Sequence, residues 1–306
     1  MKKVLVLWYS QTGQLTAVVK SVCMGINKKD VSFTFEQLQP ENDYNFPWSA
    51  KEFFDVFPES VHQEGIKMKP VQVQQSDFDL VVLGYQPWFL NPSLPACTFL
   101  QSEDAKRLLN GKPVITVIAC RNMWIAAQEK VKAYISAAGG RLVGNIVLFD
   151  RAHNLVSLVT IIGWLMKGKK ENYWGFLPAS GVSDSEIRGA SLYGELIYKY
   201  LSENKLENLQ DSLVKAGAVE IKLPLMTMEM TGSRIFKIWA KGISKLGPSG
   251  SFWRKVALTF FLYYLIFVII IGTPIMFVVA AAKKLLFRKS VKKKIVYYSG
   301  VKQSPL

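Results

Sequence analysis

The chain has few cysteines: only Cys23, Cys97 and Cys120 occur among its 306 residues. Three is an odd number and no pair has CxxC spacing, so the sequence favours neither a disulfide framework nor a zinc site. This usage fits a reduced cytosolic compartment, and we expect no metal centre.

Acidic residues are absent from the last quarter of the chain. None follows Glu229, whereas 14 of the 38 lysines and arginines lie between Arg234 and Lys302. The first 230 residues carry 24 basic against 23 acidic side chains, so the formal net charge of +15 belongs to the C-terminal part. Because these basic residues flank an apolar segment, they indicate an anionic membrane surface rather than nucleic acid.

Only one long hydrophobic run occurs, at residues 256–282. As a helix it would measure about 40 Å, more than the ~30 Å hydrocarbon core of a bilayer. The run predicts either a single tilted span or, if residues 272–274 break the helix, a re-entrant or surface-lying hairpin with both ends on one side. The N-terminal apolar run in MKKVLVLWYS is short and predicts a first strand instead of a signal peptide.

Short apolar segments alternate with helical stretches along the first 205 residues. The predicted strands are residues 4–9, 31–38, 80–84, 113–119 and 142–149, and the clearest helices are residues 17–26, 102–109, 123–138 and 183–201. Strands that are apolar on both faces are typical of a parallel sheet covered by helices. The alternation predicts an α/β, doubly wound, five-stranded parallel sheet that binds ligands beyond the carboxyl ends of its strands.

Three segments are additional to a minimal domain of this kind. Residues 40–70 form an aromatic insertion between the second and third predicted strands. Residues 206–250 form a connecting segment, in which residues 233–246 place basic and apolar side chains on opposite faces of an interfacial amphipathic helix. Residues 251–306 contain the hydrophobic membrane segment and a basic tail.

The turn after the first predicted strand carries hydroxyl and amide side chains at the start of a helix. It consists of Ser10, Gln11, Thr12, Gly13, Gln14 and Leu15. The N–H groups and dipole of a helix N-terminus attract an anion, and Gly13 lets the backbone approach a phosphate. The turn lacks a Walker lysine and a GxGxxG motif. It therefore indicates a flavin mononucleotide (FMN) phosphate site, with a plain strand-to-helix loop as the alternative.

Two further strand ends combine aromatic and polar residues. The third predicted strand runs into Tyr85, Gln86, Pro87, Trp88 and Phe89, and the fourth runs into Cys120, Arg121 and Asn122. Trp88 or Phe89 is expected to form an aromatic wall for a flavin ring. Arg121 and Asn122 are expected to supply the positive charge and donors that a reduced flavin needs. The alternative is that the aromatic residues only fill the rim of the sheet.

The turn, the loop GYQPWF at residues 84–89 and the five-strand order resemble the flavodoxin-like superfamily across about residues 1–205. A closer resemblance is to the bacterial dialkylresorcinol condensing enzymes, which occur beside a ketosynthase in aryl-polyene and flexirubin-type pigment clusters. The similar stretches are YNFPW at 44–48, FPESV at 57–61, GKPVITVIACRNMW at 111–124 and LVGNI at 142–146. Leu15 departs from the flavodoxin turn, where a hydroxyl residue usually stands, which implies weaker FMN binding.

This resemblance implies a role in dialkylresorcinol biosynthesis. The ketosynthase would join two acyl units into a dialkylcyclohexane-1,3-dione, and this component would aromatise it by dehydrogenation. Removal of two hydrogens needs an acceptor, which a flavin supplies, and a base. His153, just past the fifth strand, is the preferred base because histidine ordinarily titrates near neutrality; Tyr85 is the second candidate, and a surface role for His153 is the alternative. The expected partners are the hydrophobic dione, the ketosynthase and membrane lipid.

Two other functions fit the same residues. One is an NAD(P)H-dependent quinone or flavin reductase. The other is a non-enzymatic electron carrier or scaffold at the membrane, although carriers usually show an acidic docking face that this near-neutral body lacks. Eight basic residues follow Ala282, which favours a cytoplasmic C-terminus. We therefore expect a catalytic domain on the cytoplasmic side of a bacterial inner membrane.

Overall fold

Parallel strands form the centre of the computed structural model, which describes residues 1–26, 29–171 and 175–302. The strands are β1 (Lys2–Trp8), β2 (Val31–Gln37), β3 (Leu80–Tyr85), β4 (Pro87–Trp88), β5 (Asn91–Pro92), β6 (Pro113–Cys120) and β7 (Arg141–Phe149). The main sheet has the order β2-β1-β3-β6-β7 with every pair parallel, while β4 and β5 form a small antiparallel hairpin. This is the flavodoxin-like doubly wound order, so the predicted fold class is confirmed.

Helices cover both faces of the sheet and continue into the tail. They are α1 (Gln14–Met24), α2 (Ala50–Asp55), α3 (Phe57–His62), α4 (Leu94–Leu100), α5 (Glu103–Leu109), α6 (Ile125–Ala137), α7 (Asn154–Lys167), α8 (Asp184–Gly189), α9 (Ser191–Ser202), α10 (Leu209–Lys215), α11 (Leu223–Ser244), α12 (Phe252–Leu286) and α13 (Arg288–Ser299).

The two core layers follow from the alternation of side chains along the strands. In β1, Val4 and Val6 face the layer of α1, α9 and α10, while Leu5 and Leu7 face the layer of α4, α5 and α6. Leu213 of α10 and Met226 of α11 belong to these cores. Helices beyond residue 205 therefore also pack on the sheet.

The aromatic insertion and the tail meet in a third cluster. Phe57 of α3 stacks on Phe261 of α12 with 4.1 Å between ring centroids, and Phe236 of α11 meets Phe57 edge-on at 5.3 Å. The helix predicted at residues 233–246 is confirmed but begins earlier, at Leu223. Its apolar side packs largely on α3 and α12 instead of facing lipid, because the insertion supplies aromatic partners for it.

Among the described residues, α12 is the one helix that is long and apolar enough to cross a membrane, judged by length and composition. It continues through Pro274 without interruption. Residues 272–274 therefore do not form the turn of a re-entrant hairpin. Arg254, near its start, is 2% exposed in its side chain and pairs with Asp55 and Glu59 of the insertion.

Candidate functional site

The turn between β1 and α1 forms the first part of the site. Its N-cap is Gly13, at φ 79°, which has no side chain to satisfy the first N–H groups of α1. Ser10 Oγ and Thr12 Oγ1 accept hydrogen bonds from the N–H groups of Thr16 and Gln14, each at 3.4 Å. The space beyond Gly13 is open. The turn therefore presents two hydroxyls and a helix N-terminus to an incoming anion.

Two glutamines of the turn hold neighbouring chain segments. The side chain of Gln14 donates to the Val182 carbonyl and accepts from the Val182 N–H, both at 3.1 Å. Gln11 Nε2 donates to the Asn45 carbonyl at 3.0 Å. Leu15 is buried in the core beneath the turn. These three side chains shape the turn, and Leu15 offers a ligand only its main chain.

Trp88 and Phe89 lie in aromatic packing instead of standing free. Trp88 is 6% exposed, and its ring meets Tyr44 at 4.9 Å and Trp48 at 5.1 Å. Phe89 packs against Phe53 of the insertion at 4.9 Å. Gln86 and Pro87 are half-buried beside them in the hairpin region. The structure therefore gives Trp88 and Phe89 the rim-filling role, because the insertion covers the faces that a flavin ring would use.

Tyr85 and Cys120 are poor proton acceptors in this structure. The Tyr85 hydroxyl is buried and donates to Gln128 Oε1 at 2.7 Å, and Gln128 Nε2 donates to Thr116 Oγ1 at 2.9 Å. Burial raises the pKa of Tyr85 well above its ordinary value. Burial also raises the pKa of the Cys120 thiol far above its usual range. Tyr85 thus connects α6 to the sheet through Gln128.

Arg121 forms the centre of a polar cluster at the carboxyl ends of β6 and β7. Its Nη2 donates to Asn154 Oδ1 at 2.7 Å, and Asn122 Nδ2 donates to the same oxygen at 2.7 Å. Asn154 Nδ2 in turn donates to Thr273 Oγ1 of α12 at 3.4 Å. Burial lowers the pKa of Arg121 to about 10, which still leaves it charged at neutral pH. Among the described residues no carboxylate lies within ion-pair distance of Arg121, but the negative charge of the nearby Asp150 helps to keep it protonated.

Asp150 connects this cluster to the turn. It is buried at the end of β7 and accepts from Ser157 Oγ at 2.7 Å and from the Gly181 N–H at 3.2 Å. The next residue, Val182, is the one that Gln14 holds. Ser180 Oγ, beside Gly181, is buried with no hydrogen-bond partner among the described residues. An orphaned hydroxyl next to the turn is suited to a ligand oxygen.

Tyr9, the residue before Ser10, also carries a buried hydroxyl. This hydroxyl has no partner within the part of the chain that the structure describes. Its ring meets Trp88 edge-on at 5.9 Å. Tyr9 adjoins the turn in the chain, but its side chain lies in the aromatic packing around Trp88, whose covered face does not fit the expected ring wall.

His153 is exposed at the N-cap of α7 and directly precedes Asn154. It therefore lies at the ligand edge, as its position in the sequence predicts. Across residues 1–26, 29–171 and 175–302, no group of three or more His, Cys, Asp and Glu side chains is arranged to hold a metal ion.

Glu229 is a buried carboxyl, and the sequence marks it only as the last acidic residue of the chain. It is 1% exposed and accepts the Ala126 N–H at 2.7 Å, at the N-terminus of α6. Burial raises its pKa to about 7, and main-chain hydrogen bonds from α6 offset part of the effect. No local signal could have found it, because its partner lies 103 positions away in the sequence.

Comparison with known proteins identifies flavodoxin-like structures. No protein-family model matches the chain, and no curated protein sequence matches it. A flavoprotein in complex with FMN from Lactobacillus acidophilus NCFM is 15% identical, with a TM-score of 0.40, over 48% of this chain and 93% of that one. A WrbA-like flavodoxin from Agrobacterium tumefaciens is 10% identical, with a TM-score of 0.36, over 66% and 99%.

A third similar structure is RosB with a bound intermediate, 8-demethyl-8-formylriboflavin-5'-phosphate. It is 10% identical, with a TM-score of 0.36, over 73% of this chain and 92% of that one. At such identities a likeness concerns only the fold. The fold of this chain is already defined by its own strand order.

Proposed function

We propose that the chain is an FMN-dependent oxidoreductase. The observation that carries this proposal is that the N-terminus of α1, with Gly13 as N-cap and the hydroxyls of Ser10 and Thr12 beside it, lies at the same edge of the sheet as the Arg121 cation. The turn suits the phosphate, and the orphaned Ser180 hydroxyl, two residues before the Val182 that Gln14 holds, offers a further hydrogen bond. Arg121 suits the electron-rich part of a reduced flavin or a substrate oxygen.

The finer proposal is aromatisation of a dialkylcyclohexane-1,3-dione to a dialkylresorcinol, working beside a ketosynthase. When bound, FMN supplies the acceptor for the two hydrogens that this reaction removes. Arg121 and Asn122 stabilise negative charge on a carbonyl oxygen of the dione as its neighbouring C–H loses a proton. Thr273 connects this cluster to α12, whose outer surface is apolar, which suits a substrate with two alkyl arms.

The proton acceptor proposed for this reaction is His153. It is exposed at the ligand edge and adjoins Asn154, which holds Arg121. Tyr85 is unsuitable because it is buried and its hydroxyl is bound to Gln128. Glu229 is also unsuitable, since its carboxyl is enclosed at the start of α6. The catalytic domain is proposed to lie at the cytoplasmic face of a bacterial inner membrane.

The decisive experiment uses the full-length chain in a mild detergent, loaded with FMN under anaerobic conditions. Mixing with a 2,5-dialkylcyclohexane-1,3-dione should bleach the oxidised flavin in one turnover and yield one resorcinol per flavin without NAD(P)H. His153→Gln should slow the bleaching by ~10²-fold or more with FMN binding unchanged. Bleaching by NAD(P)H but not by the dione would instead identify a reductase. A chain that quenches no FMN fluorescence would refute the flavin assignment.

A further inference from the structure

One face of α12 contacts the body of the protein near the start of the helix and near its middle. Near its start, Arg254 Nε bonds Asp55 Oδ1 at 2.9 Å, and Phe261 stacks on Phe57. Near its middle, Thr273 accepts from Asn154 of the Arg121 cluster. Further along, Ala280 is also buried. From Arg254 to Thr273 the helix rises ~28 Å, so its contacts with the body extend over about the thickness of the hydrocarbon core of a bilayer.

The chain also returns to the body after α12. In α13, Tyr297 donates to the Glu129 carboxylate of α6. The Ser299 carbonyl, at the end of α13, accepts from Gln210 Nε2 of α10 at 2.6 Å. Lys132 of α6 donates to the Lys302 carbonyl at 3.3 Å. A helix crossing the membrane would place α13 on the side opposite to α6 and α10, and these contacts would be impossible.

The opposite face of α12 is apolar and exposed. It carries Phe260, Tyr263, Phe267, Ile271 and Val278, which are between 47% and 71% exposed. At 100° per residue these positions lie on the side of the helix away from Arg254, Phe261 and Ala280. Contiguous apolar surface of this size marks a binding face.

The charge around this face identifies its occupant. Exposed basic residues lie in the segments before and after α12, including Lys241 in α11, Lys245 just after α11, and Lys292 and Lys293 in α13, and no acidic residue follows Glu229. Basic side chains beside an apolar helix face favour the headgroups of anionic lipids.

We propose that α12 lies in the plane of an anionic bilayer, with its exposed apolar face in the interface and its opposite face on the body. The chain is then attached to one leaflet and does not span the membrane. The Arg121 cluster lies beneath the middle of the embedded helix, since Thr273 contacts Asn154. This inference stands independently of the reaction that the site performs.

Spin labels at three positions test the orientation. Single substitutions Phe260→Cys, Phe267→Cys and Val278→Cys are made in the full-length chain, labelled, and reconstituted into vesicles of phosphatidylcholine and phosphatidylglycerol. All three positions are exposed, and labelled wild-type chain gives the background from the native cysteines. Oxygen and nickel accessibilities then give the depth of each label below the headgroups.

An in-plane helix places the three labels at one shallow depth, ~5–10 Å below the headgroup boundary. A spanning helix would instead place the label at Phe267 near the bilayer centre, ~10 Å deeper than the labels at Phe260 and Val278. That second pattern, or fully aqueous labels, would overturn the proposal. In a separate binding measurement, the chain should bind vesicles of phosphatidylcholine alone more weakly than vesicles that contain phosphatidylglycerol. High salt should weaken its binding to the anionic vesicles only. Salt-independent binding to both vesicles would overturn the choice of anionic lipid.

Discussion

Glu229 should make the stability of this protein depend on pH in a direction unusual for a carboxylate. The side chain is enclosed between α11 and the N-terminus of α6, and burial raises its pKa from 4.5 to about 7. The folded chain therefore binds a proton at this site at pH values where the unfolded chain has already released it. The contribution of Glu229 is full below pH 4.5 and is lost as the pH rises through 7.

The size of the effect follows from the two pKa values. Their difference corresponds to about 3 kcal/mol at 1.36 kcal/mol per pKa unit, of which about 2 to 3 kcal/mol is lost between about pH 5 and about pH 8. In Glu229→Gln the side chain stays neutral and its carbonyl oxygen can still accept the Ala126 N–H. We expect this variant to lack that part of the pH dependence.

The measurement is urea unfolding of the full-length chain in a non-ionic detergent, followed by the fluorescence of its eight tryptophans. Wild type, Glu229→Gln and the exposed control Glu195→Gln are compared at about pH 5 and about pH 8. The control should lose the same free energy of unfolding as wild type. If Glu229→Gln also loses as much as wild type, Glu229 is not the group that titrates and its burial has been misjudged.

Three further substitutions test the turn, the core and the tail. Thr12→Ala should weaken FMN binding by ~1.5 to 3 kcal/mol, measured by fluorescence quenching. The control Thr34→Ala, on the edge strand, should leave FMN binding unchanged. Equal FMN affinities of the two variants would exclude Thr12 from the phosphate site. Gly194→Ala should lower the free energy of unfolding by ~3 kcal/mol or more, because the new methyl would lie 1.9 Å from a main-chain oxygen of α1. Gly189→Ala is the control, because its methyl would enter open space. Similar thermal unfolding of the two variants would contradict this packing. Arg254→Leu should lower the free energy of unfolding by about 2 kcal/mol, because it leaves the carboxylates of Asp55 and Glu59 unpaired. It should also increase proteolysis between α11 and α12. Resistance equal to that of wild type would show that the ion pairs do not hold α12.

Local patterns were sufficient to predict the sheet. The third strand, predicted at residues 80–84, is observed at Leu80–Tyr85, and the fifth, predicted at 142–149, is observed at Arg141–Phe149. Apolar runs bounded by turns encode strands because neighbouring residues share one backbone conformation. The turn at residues 10–15 was also predictable, since a strand, a left-handed glycine and a helix follow one another within the chain.

Contacts between segments that are distant in the chain could not be predicted from those local patterns. The sequence indicates that Arg121 lies at a strand end, but only the fold brings Asn154 to it and connects Asn154 to Thr273 of α12. The aromatic pattern around Trp88 suits either a flavin wall or a rim. The insertion decides between them by placing Tyr44 against the ring.

The tail shows the same division most clearly. Composition and periodicity by themselves determined that α11 and α12 are helices with apolar faces, because helix formation depends on residues three and four positions apart. They did not determine what covers those faces, since lipid and protein side chains satisfy an apolar stripe equally well. Tertiary structure decided it: Phe57 packs against the apolar sides of both α11 and α12, and α13 returns to the body, while the outer face of α12 remains exposed.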